Sequence, residues 1–390
     1  MKRDIRAASS GADRLQSETI TRLRFPLAVA VVFIHSFGLP REVDWQAVWS
    51  SPLTGDDCYQ LVRTFCSYVA PSPAVPLFFL LSGFLFFRRV QRFTASVYVQ
   101  KLRRRFRTLF VPYMLWNLLS LLGFWGLRFG QSNSLTEWLY SFPDCFVAQG
   151  GWHLFWDAHP IGQDSTNWLG LTVYHHAAPI DVPLWFVRDL MVVVLLSPLL
   201  FWLLKRLGGW FVALMAALYV VSLWPPIEGL SLQAVFFFTS GGWFALCQCN
   251  LVTEMRRVRL VACVSAPLLA FGLLFLQGSG SWLGSLLSPF YVMTGVCALV
   301  NLAAWSVERF PRLVPPVCSQ ASFFIYAAHT LLLLKLMGSL TAHLVPGTQP
   351  LAMLVRYFTS PLLTVAVCVA VYALLRAVAP RLLGLFTGDR

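Results

Sequence analysis

Ten runs of apolar residues dominate this sequence, and most are about as long as a membrane-spanning helix. Of its 390 residues, 57% are hydrophobic and only 12% are charged, whereas an average soluble domain carries about 25% charged residues. This composition excludes a water-soluble enzyme. The apolar runs cover residues 25–39, 74–87, 109–127, 184–204, 210–224, 232–247, 260–276, 282–304, 322–340 and 351–377.

The runs predict an all-α, polytopic membrane protein with about ten transmembrane helices. The first, second and fifth runs are the shortest, at 15, 14 and 15 residues, below the roughly 17–25 residues of a spanning helix. Pro71, Pro73 and Pro76 lie at the start of the run 74–87 and predict a broken or kinked helix there. Because non-helical backbone inside a membrane is tolerated only beside protein or a water-filled cavity, we expect a cavity near this segment.

The basic residues predict the orientation of the chain. With both termini cytoplasmic, the cytoplasmic segments hold 24 of the 30 lysines and arginines, in agreement with the positive-inside rule. The net charge of +13 is thus explained by topology, and no nucleic acid partner is needed. The predicted parts are a polar cytoplasmic tail 1–24, a single membrane domain 25–377 with extracytoplasmic loops 40–73 and 128–183, and a cytoplasmic tail 378–390.

The first run carries two ionisable residues on one helix face. Arg24 and His35 are eleven positions apart, which comes within about 20° of whole helical turns. At about 1.5 Å per residue, His35 lies about 16 Å deeper in the membrane than Arg24. An ionisable residue at that depth indicates a functional site by default. The alternative is a histidine that only hydrogen-bonds to a neighbouring helix.

A basic cluster precedes the third run, at residues 101–107. It holds five positive charges, and its Arg104 and Arg107 are i, i+3 neighbours that face the same way on a helix. Guanidinium groups bind phosphate oxygens through paired hydrogen bonds, so the cluster suits a phosphorylated cytosolic ligand. Positive-inside anchoring and contact with acidic lipids are the alternative explanation.

Other polar residues occur inside later runs. Arg188 and Asp189 begin the fourth run as a charged pair that must be mutually neutralised or line a polar cavity. His329 lies midway along the ninth run, and Lys335 follows in its outer half. Basic groups at the cytoplasmic side, His35 at mid-depth and polar groups further out favour transfer of a chemical group across the bilayer. By contrast, Ser82-Gly83 in the second run is typical of close helix packing.

Five stretches of the sequence resemble the acyltransferase-3 family of inner-membrane proteins. They read LRFPLAVAVVFIH, PLFFLLSGFLFF, RRRFRTLFVPYMLW, PLWFVRDL and SFFIYAAH. The first, an arginine followed by ten residues and a histidine, is the most specific, and the others are degenerate apolar patterns. The predicted count of ten spans also agrees with the family.

The resemblance implies an enzyme that takes an acyl group, usually acetyl, from cytoplasmic acyl-CoA and passes it to a hydroxyl of an extracytoplasmic glycan or glycolipid. It implies that Arg24 and His35 are catalytic and that Arg104 and Arg107 bind the acyl-CoA, with no metal. Residues further out are expected to bind the acceptor: Arg188, Asp189 and His329.

Two points stay open within this interpretation. The stretch from Arg107 to Pro112 is one residue longer than in many members of the family, so Arg104 and Arg105 compete for the first arginine position. A sugar hydroxyl also needs a base to remove its proton as it attacks a thioester. His35 is either that base or a nucleophile that becomes acylated itself.

A transporter or flippase of a lipid-linked glycan is the alternative function, because a broken helix and buried charges suit it too. Such proteins often have two related halves, and no internal similarity is visible here. Either function predicts an integral protein of the bacterial cytoplasmic (inner) membrane, with membrane lipids and an extracytoplasmic glycan or glycolipid as partners. The identity of the acceptor, the acyl group and assembly into a homo-oligomer stay open.

Overall fold

The computed structural model describes residues 2–36, 54–90, 92–132, 134–160, 165–168, 171–174, 177–276 and 282–389. These residues are mostly helical, as the sequence predicts. The main exception is the predicted outer loop 128–183, which combines short helices with two pairs of short strands. In the other predicted loop, 40–73, residues 40–53 lie outside the described residues, and most of the remainder is helical, at Gly55–Thr64 and Phe65–Val69.

The helices follow each other along the chain with few long connections. They are α1 Lys2–His35, α2 Gly55–Thr64, α3 Ala74–Phe87, α4 Ala95–Arg105, α5 Val111–Leu127, α6 Leu135–Tyr140, α7 Phe142–Ala148, α8 Trp185–Leu195, α9 Ser197–Leu207, α10 Gly209–Val220, α11 Leu232–Leu246, α12 Leu251–Arg257, α13 Arg259–Leu276, α14 Trp282–Arg309, α15 Pro316–Ala328, α16 Leu334–Leu344, α17 Pro350–Val378 and α18 Pro380–Thr387.

Tighter or wider turns and short strands complete the chain. The π-helical turns are Phe65–Val69, Phe106–Phe110 and His329–Leu333, and the 3-10 turns are Arg128–Gln131, Gly151–Phe155 and Val182–Leu184. The antiparallel strand pairs are β1 His159–Pro160 with β4 Ala177–Ala178, and β2 Ser165–Trp168 with β3 Leu171–Tyr174.

Six helical stretches in the described part of the chain are long and apolar enough to cross a membrane, or up to eight if each of two bent pairs is one span. The bent pairs are α8 with α9, at 64°, and α11 with α12, at 107°. Each of the ten predicted runs contains a helix, but the count of ten spans is not confirmed. One reason is α10, whose 12 residues reach only about 18 Å across a hydrocarbon layer of about 30 Å.

The helix is interrupted by a turn just before the second predicted run, whereas the run 74–87 itself is one continuous helix and Gly55–Phe87 counts as a single candidate span. The helix that starts at Gly55 continues through a π-turn to Val69, and α3 begins at Ala74 after a turn that holds Pro71 and Pro73. Proline has no backbone N–H and cannot continue the hydrogen-bond ladder of the preceding helix. The break therefore follows directly from the sequence.

Helices α3 and α11 cross in direct backbone contact. A Cβ atom built on Gly83 would overlap the carbonyl group of Phe238, and one built on Gly241 would overlap that of Leu80. Small residues at such a crossing let helix backbones approach closely inside a membrane. The structure thus gives Gly83 the packing role that the sequence predicts.

Helix α1 lies in the centre of the bundle, against α14 and α15. Its buried face includes Leu27, Ala28, Val31 and Val32. Near its middle, Arg22 donates hydrogen bonds to the carbonyl oxygens of residues 310 and 311, which follow α14, at 3.0 and 2.6 Å. This anchoring fixes the depth at which α1 ends, and α1 ends at His35.

Candidate active site

Two histidines from distant parts of the chain meet in the middle of the bundle. His35 is the last residue of α1, and His329 follows the last residue of α15. Their ring centroids lie 5.3 Å apart with an angle of 47° between the planes. His329 is completely buried. The structure therefore brings together two residues for which the sequence predicts separate roles.

The hydrogen bonds of His329 leave one ring nitrogen available. Its Nδ1 lies 3.1 Å from the carbonyl oxygen of Ile325, which can only accept, so we assign the ring proton to Nδ1. The Nε2 atom is then an acceptor. It is buried and has no hydrogen-bond partner among the described residues. Such an orphan acceptor is costly unless a ligand or water supplies a proton.

The helix breaks directly after His329. The π-turn His329–Leu333 contains non-helical backbone at Leu331 and Leu332, and Leu332 has a φ of 62°. A bulky residue in the left-handed region is strained, and such strain concentrates at functional sites. The break exposes the side chain of Thr330, which donates a 2.7 Å hydrogen bond to Oδ1 of Asp181.

Asp181 is an acidic residue of this site that the sequence reasoning missed. Its side chain is 2% exposed, and its Oδ2 atom has no hydrogen-bond partner among the described residues. Its backbone N–H donates to Oδ1 of the fully buried Asn117, at 3.2 Å. The signal available in the sequence was its position, as a lone carboxylate at the entrance of the fourth apolar run.

A cavity of about 1060 Å³ extends from this polar group. His35, Asp181, Thr330 and Lys335 line its polar end, and apolar side chains form most of the remaining wall. Lys335 is exposed, whereas Asp181 is buried. The cavity therefore offers one acidic and one basic group beside a histidine.

A second, smaller cavity of about 180 Å³ contains Arg24. Arg105 of α4, Gln320 and Ser322 of α15 and residues of α3 share its wall. The cavity expected beside the second run is therefore present. Arg24 and His35 lie on the same helix, but they line different cavities: Arg24 the small one and His35 the large one.

The arginines of the basic cluster differ in their exposure. Arg105 is partly buried and lines the small cavity with Arg24, whereas Arg104 and Arg107 are exposed and are not among the residues that line the two cavities described above. The π-turn Phe106–Phe110 explains the difference, because a π-turn holds one residue more than an α-helical turn. It changes how the residues of α4 are rotated relative to those of α5.

Arg188 and Asp189 have partners inside the protein. Arg188 donates to Asp189 at 3.0 Å and to the carbonyl oxygens of Trp156 and Ala177 at 2.5 and 2.9 Å. Its guanidinium lies 3.5 Å from Glu228. Burial raises the pKa of this Glu228 carboxyl, and the positive charge of Arg188 opposes the change. These contacts tie the outer loop to α8 and leave both side chains 4% exposed or less.

No group of three histidine, cysteine, aspartate or glutamate residues in the described part of the chain could hold a metal ion. Arg24 and His35, which the sequence predicts to be catalytic, lie on one helix but line two separate cavities.

Comparison with known families identifies the family of this chain. The model of the acyltransferase-3 family, an acyltransferase domain, matches residues 18–374, which include both histidines, Asp181 and the basic cluster. The chain belongs to the acyltransferase-3 family. It is accordingly an acyltransferase and an integral membrane protein. The acyltransferase resembles the succinoglycan biosynthesis protein ExoH of Rhizobium meliloti (strain 1021), with 26% identity over 385 residues, 96% of this chain and 92% of the relative. No solved structure gives a significant match.

Proposed function

We propose that this acyltransferase moves an acetyl group from cytoplasmic acetyl-CoA to a hydroxyl of an extracytoplasmic glycan or glycolipid. The observation that carries the proposal is the position of Arg24 and His35 on one helix, in the walls of two cavities at different depths. A donor bound beside Arg24 and an acceptor bound beside His35 meet along α1. The name of the succinoglycan relative supports a polysaccharide as the acceptor.

The proposed orientation puts both termini in the cytoplasm and the protein in the bacterial inner membrane. Support comes from the 24 of 30 lysines and arginines that fall in the segments assigned to the cytoplasm. Arg24 and Arg105 then lie toward the cytoplasm and His35 lies deeper. Acyl-CoA is made in the cytoplasm, so the arginine-lined cavity faces the donor.

We assign the oxygen atoms of acyl-CoA to the arginines, those of the pantetheine arm to Arg24 and Arg105 and those of the phosphates to Arg104 and Arg107. Arg24 and Arg105 line the small cavity, and guanidinium groups bind phosphate or carbonyl oxygens with charge-assisted hydrogen bonds. Arg104 and Arg107 are exposed beside it on the chain, where they contact the more distant phosphates. A narrow cavity of this kind suits the thin pantetheine arm better than the nucleotide.

His35 supplies the base in this proposal. Its free ring nitrogen takes the proton from the acceptor hydroxyl while the oxygen attacks the thioester carbonyl. A carbon–oxygen bond forms, the carbon–sulfur bond breaks, and the thiolate of CoA receives the proton from the imidazolium. The neighbouring His329 keeps its Nε2 atom free to accept a second hydrogen bond from the acceptor or from His35.

An acyl-His35 intermediate is the second mechanism that the geometry permits. The imidazole attacks the thioester first, CoA leaves, and the acceptor hydroxyl attacks the acyl-imidazole. The two cavities favour this relay if donor and acceptor are never bound within reach of each other. Rapid quenching of the enzyme with labelled acetyl-CoA and no acceptor distinguishes the two mechanisms, because only the relay leaves label on the protein.

Inside-out membrane vesicles provide the test of the proposed function. Labelled acetyl-CoA is added outside, at the cytoplasmic face, and glycans of the vesicle lumen are analysed for label. We expect label on a luminal glycan in vesicles that contain the protein and none in vesicles from a strain without it. Equal labelling of both preparations, or label confined to cytoplasmic-face molecules, contradicts the proposal.

A further inference from the structure

The large cavity is more apolar than binding of a sugar chain requires. Beyond its polar end, the wall consists of side chains from α5, α17 and α18, among them Trp116, Leu119, Leu122, Val371, Leu375 and Leu382. Sugar hydroxyls placed against these side chains would lose their hydrogen bonds to water without replacement, which is costly. The apolar part of the cavity therefore fits hydrocarbon and not glycan.

This apolar part reaches the exposed surface of α5, which belongs to a candidate membrane span. Leu119, Leu122 and Leu382 line it and are 38%, 47% and 47% exposed. In a membrane protein, side chains exposed at such positions contact lipid tails. A hydrocarbon chain can thus enter from the bilayer without passing through water.

The two ends of the groove differ in chemistry. At one end, α18 closes the groove, where Trp116 donates a 2.9 Å hydrogen bond to the carbonyl oxygen of Phe386. At the other end lie His35, Asp181 and Lys335. The first end is beside the start of α5, next to the basic cluster, and is therefore the cytoplasmic end in the orientation proposed above. A lipid with its tail in the groove then has its polar head on the outer side.

The polar end carries the groups that such a head needs. Asp181 lines the cavity, is buried, and has an Oδ2 atom without a donor among the described residues. A carboxylate oxygen in that state suits a sugar hydroxyl, which can donate. Lys335 is an exposed cation at the same end, and an ammonium group suits a phosphate.

We propose that the groove binds the hydrocarbon chain of a phosphate-linked lipid carrier, which presents its glycan to His35. The inference rests on the proposed function and deepens it, because it makes the acceptor a lipid-linked glycan and not a released polysaccharide. The chain lies along Leu119, Leu122 and Leu382, and the phosphate pairs with Lys335. The sugar nearest the phosphate donates to Asp181.

Two glycines of α5 provide a matched pair of variants. A Cβ atom built on Gly123 or on Gly126 meets no other atom within 4 Å, and only Gly123 is among the residues that line the groove. Gly123→Trp therefore fills the groove, whereas Gly126→Trp puts the same indole outside it. Because both positions have free space, both variants are expected to fold.

The probe is a polyprenyl phosphate with a diazirine at the far end of its chain, applied to the purified protein in nanodiscs. Wild type and Gly126→Trp should be labelled equally, and Gly123→Trp should be labelled about tenfold less. Excess unlabelled polyprenyl phosphate should displace the probe. Equal labelling of Gly123→Trp, or equal displacement by palmitoyl-CoA or by phosphatidylglycerol, overturns the proposal.

This labelling does not depend on catalysis, so it separates the two proposals. If labelling behaves as expected and wild-type vesicles transfer no acetyl group, the groove assignment stands and the proposed function fails. If transfer occurs and Gly123→Trp acetylates both lipid-linked and released glycan at the wild-type rate, the proposed function stands and the groove assignment fails.

Discussion

His35 and His329 lie ring beside ring, 5.3 Å between centroids, at the point where one helix ends and another changes its winding. Two protonated imidazoles at this distance repel each other, so the pair holds no more than one extra proton at a time. A proton taken from an acceptor hydroxyl is therefore held by one ring while the other stays neutral. The pair, and not His35 alone, is the unit that the mechanism needs.

The first prediction concerns His329. His329→Gln should lower kcat by about tenfold to a hundredfold, since it removes one member of an acid–base pair, and should leave the KM for acetyl-CoA unchanged. The variant with both His35→Gln and His329→Gln should be no slower than His35→Gln, because residues that act as a unit are non-additive. Steady-state kinetics on the three variants measure this. Additive losses contradict a shared role.

The second prediction separates the arginines of the basic cluster. Arg105→Gln should raise the KM for acetyl-CoA by about tenfold, because Arg105 lines the small cavity with Arg24. Arg104→Gln should raise it less than about threefold, because exposed charges contribute little. Arg103→Gln, also at an exposed position, is the control. If Arg104→Gln raises the KM for acetyl-CoA more than Arg105→Gln does, the donor binds at the exposed face of α4 and not in the small cavity.

The third prediction concerns Asp181. Asp181→Asn keeps an oxygen for Thr330 but puts an amide donor where the unpartnered Oδ2 now lies. We expect the KM for the glycan acceptor to rise about tenfold, as one buried acceptor is replaced by a donor. The thermal unfolding temperature should stay near that of wild type. Thr330→Ser, which keeps the hydroxyl, is the control, and an unchanged acceptor KM in Asp181→Asn removes Asp181 from the site.

The fourth prediction assigns Arg188 and Asp189 to stability. Arg188→Met leaves the buried Asp189 carboxylate without its main partner and should destabilise the protein by about 3–5 kcal/mol. Adding Asp189→Leu should restore part of that loss. Thermal unfolding followed by size-exclusion chromatography measures both variants. A stable but inactive Arg188→Met supports instead the direct acceptor binding that the sequence analysis expects.

The fifth prediction tests the orientation with native cysteines. Cys58 of α2 and Cys247 after α11 are both free and exposed, and the proposed topology puts them on opposite sides. We use two variants, one with Cys58 as its single cysteine and one with Cys247. A membrane-impermeant maleimide applied to spheroplasts should label the first variant and not the second. Labelling of Cys247 alone reverses the proposed orientation.

Local patterns predict part of this site well. Helical periodicity puts Arg24 and His35 on one face, the prolines at 71–76 predict the break before α3, and Gly83 predicts the close helix crossing. Each of these features depends on residues within a few turns of one helix. The local sequence is therefore sufficient to predict these three features.

The remaining part depends on how distant helices pack. Nothing local indicates that His329 faces His35 or that Thr330 contacts Asp181, because both pairs join far-separated segments. Arg105 illustrates a different difficulty. The i, i+3 rule favours Arg104 with Arg107, but the π-turn at Phe106–Phe110 changes the register at that point. The sequence shows that the stretch from Arg107 to Pro112 has one extra residue, but it does not show that a π-turn forms there.

Acetyl transfer by a His35→Gln variant in the inside-out vesicles tests most directly whether His35 is catalytic. His343, an exposed histidine of α16, gives the matched control His343→Gln. We expect His35→Gln to insert and express as wild type does, with transfer to the luminal glycan lowered by a factor of at least about 100, and His343→Gln to transfer normally. Transfer by His35→Gln at the wild-type rate would show that His35 is not catalytic.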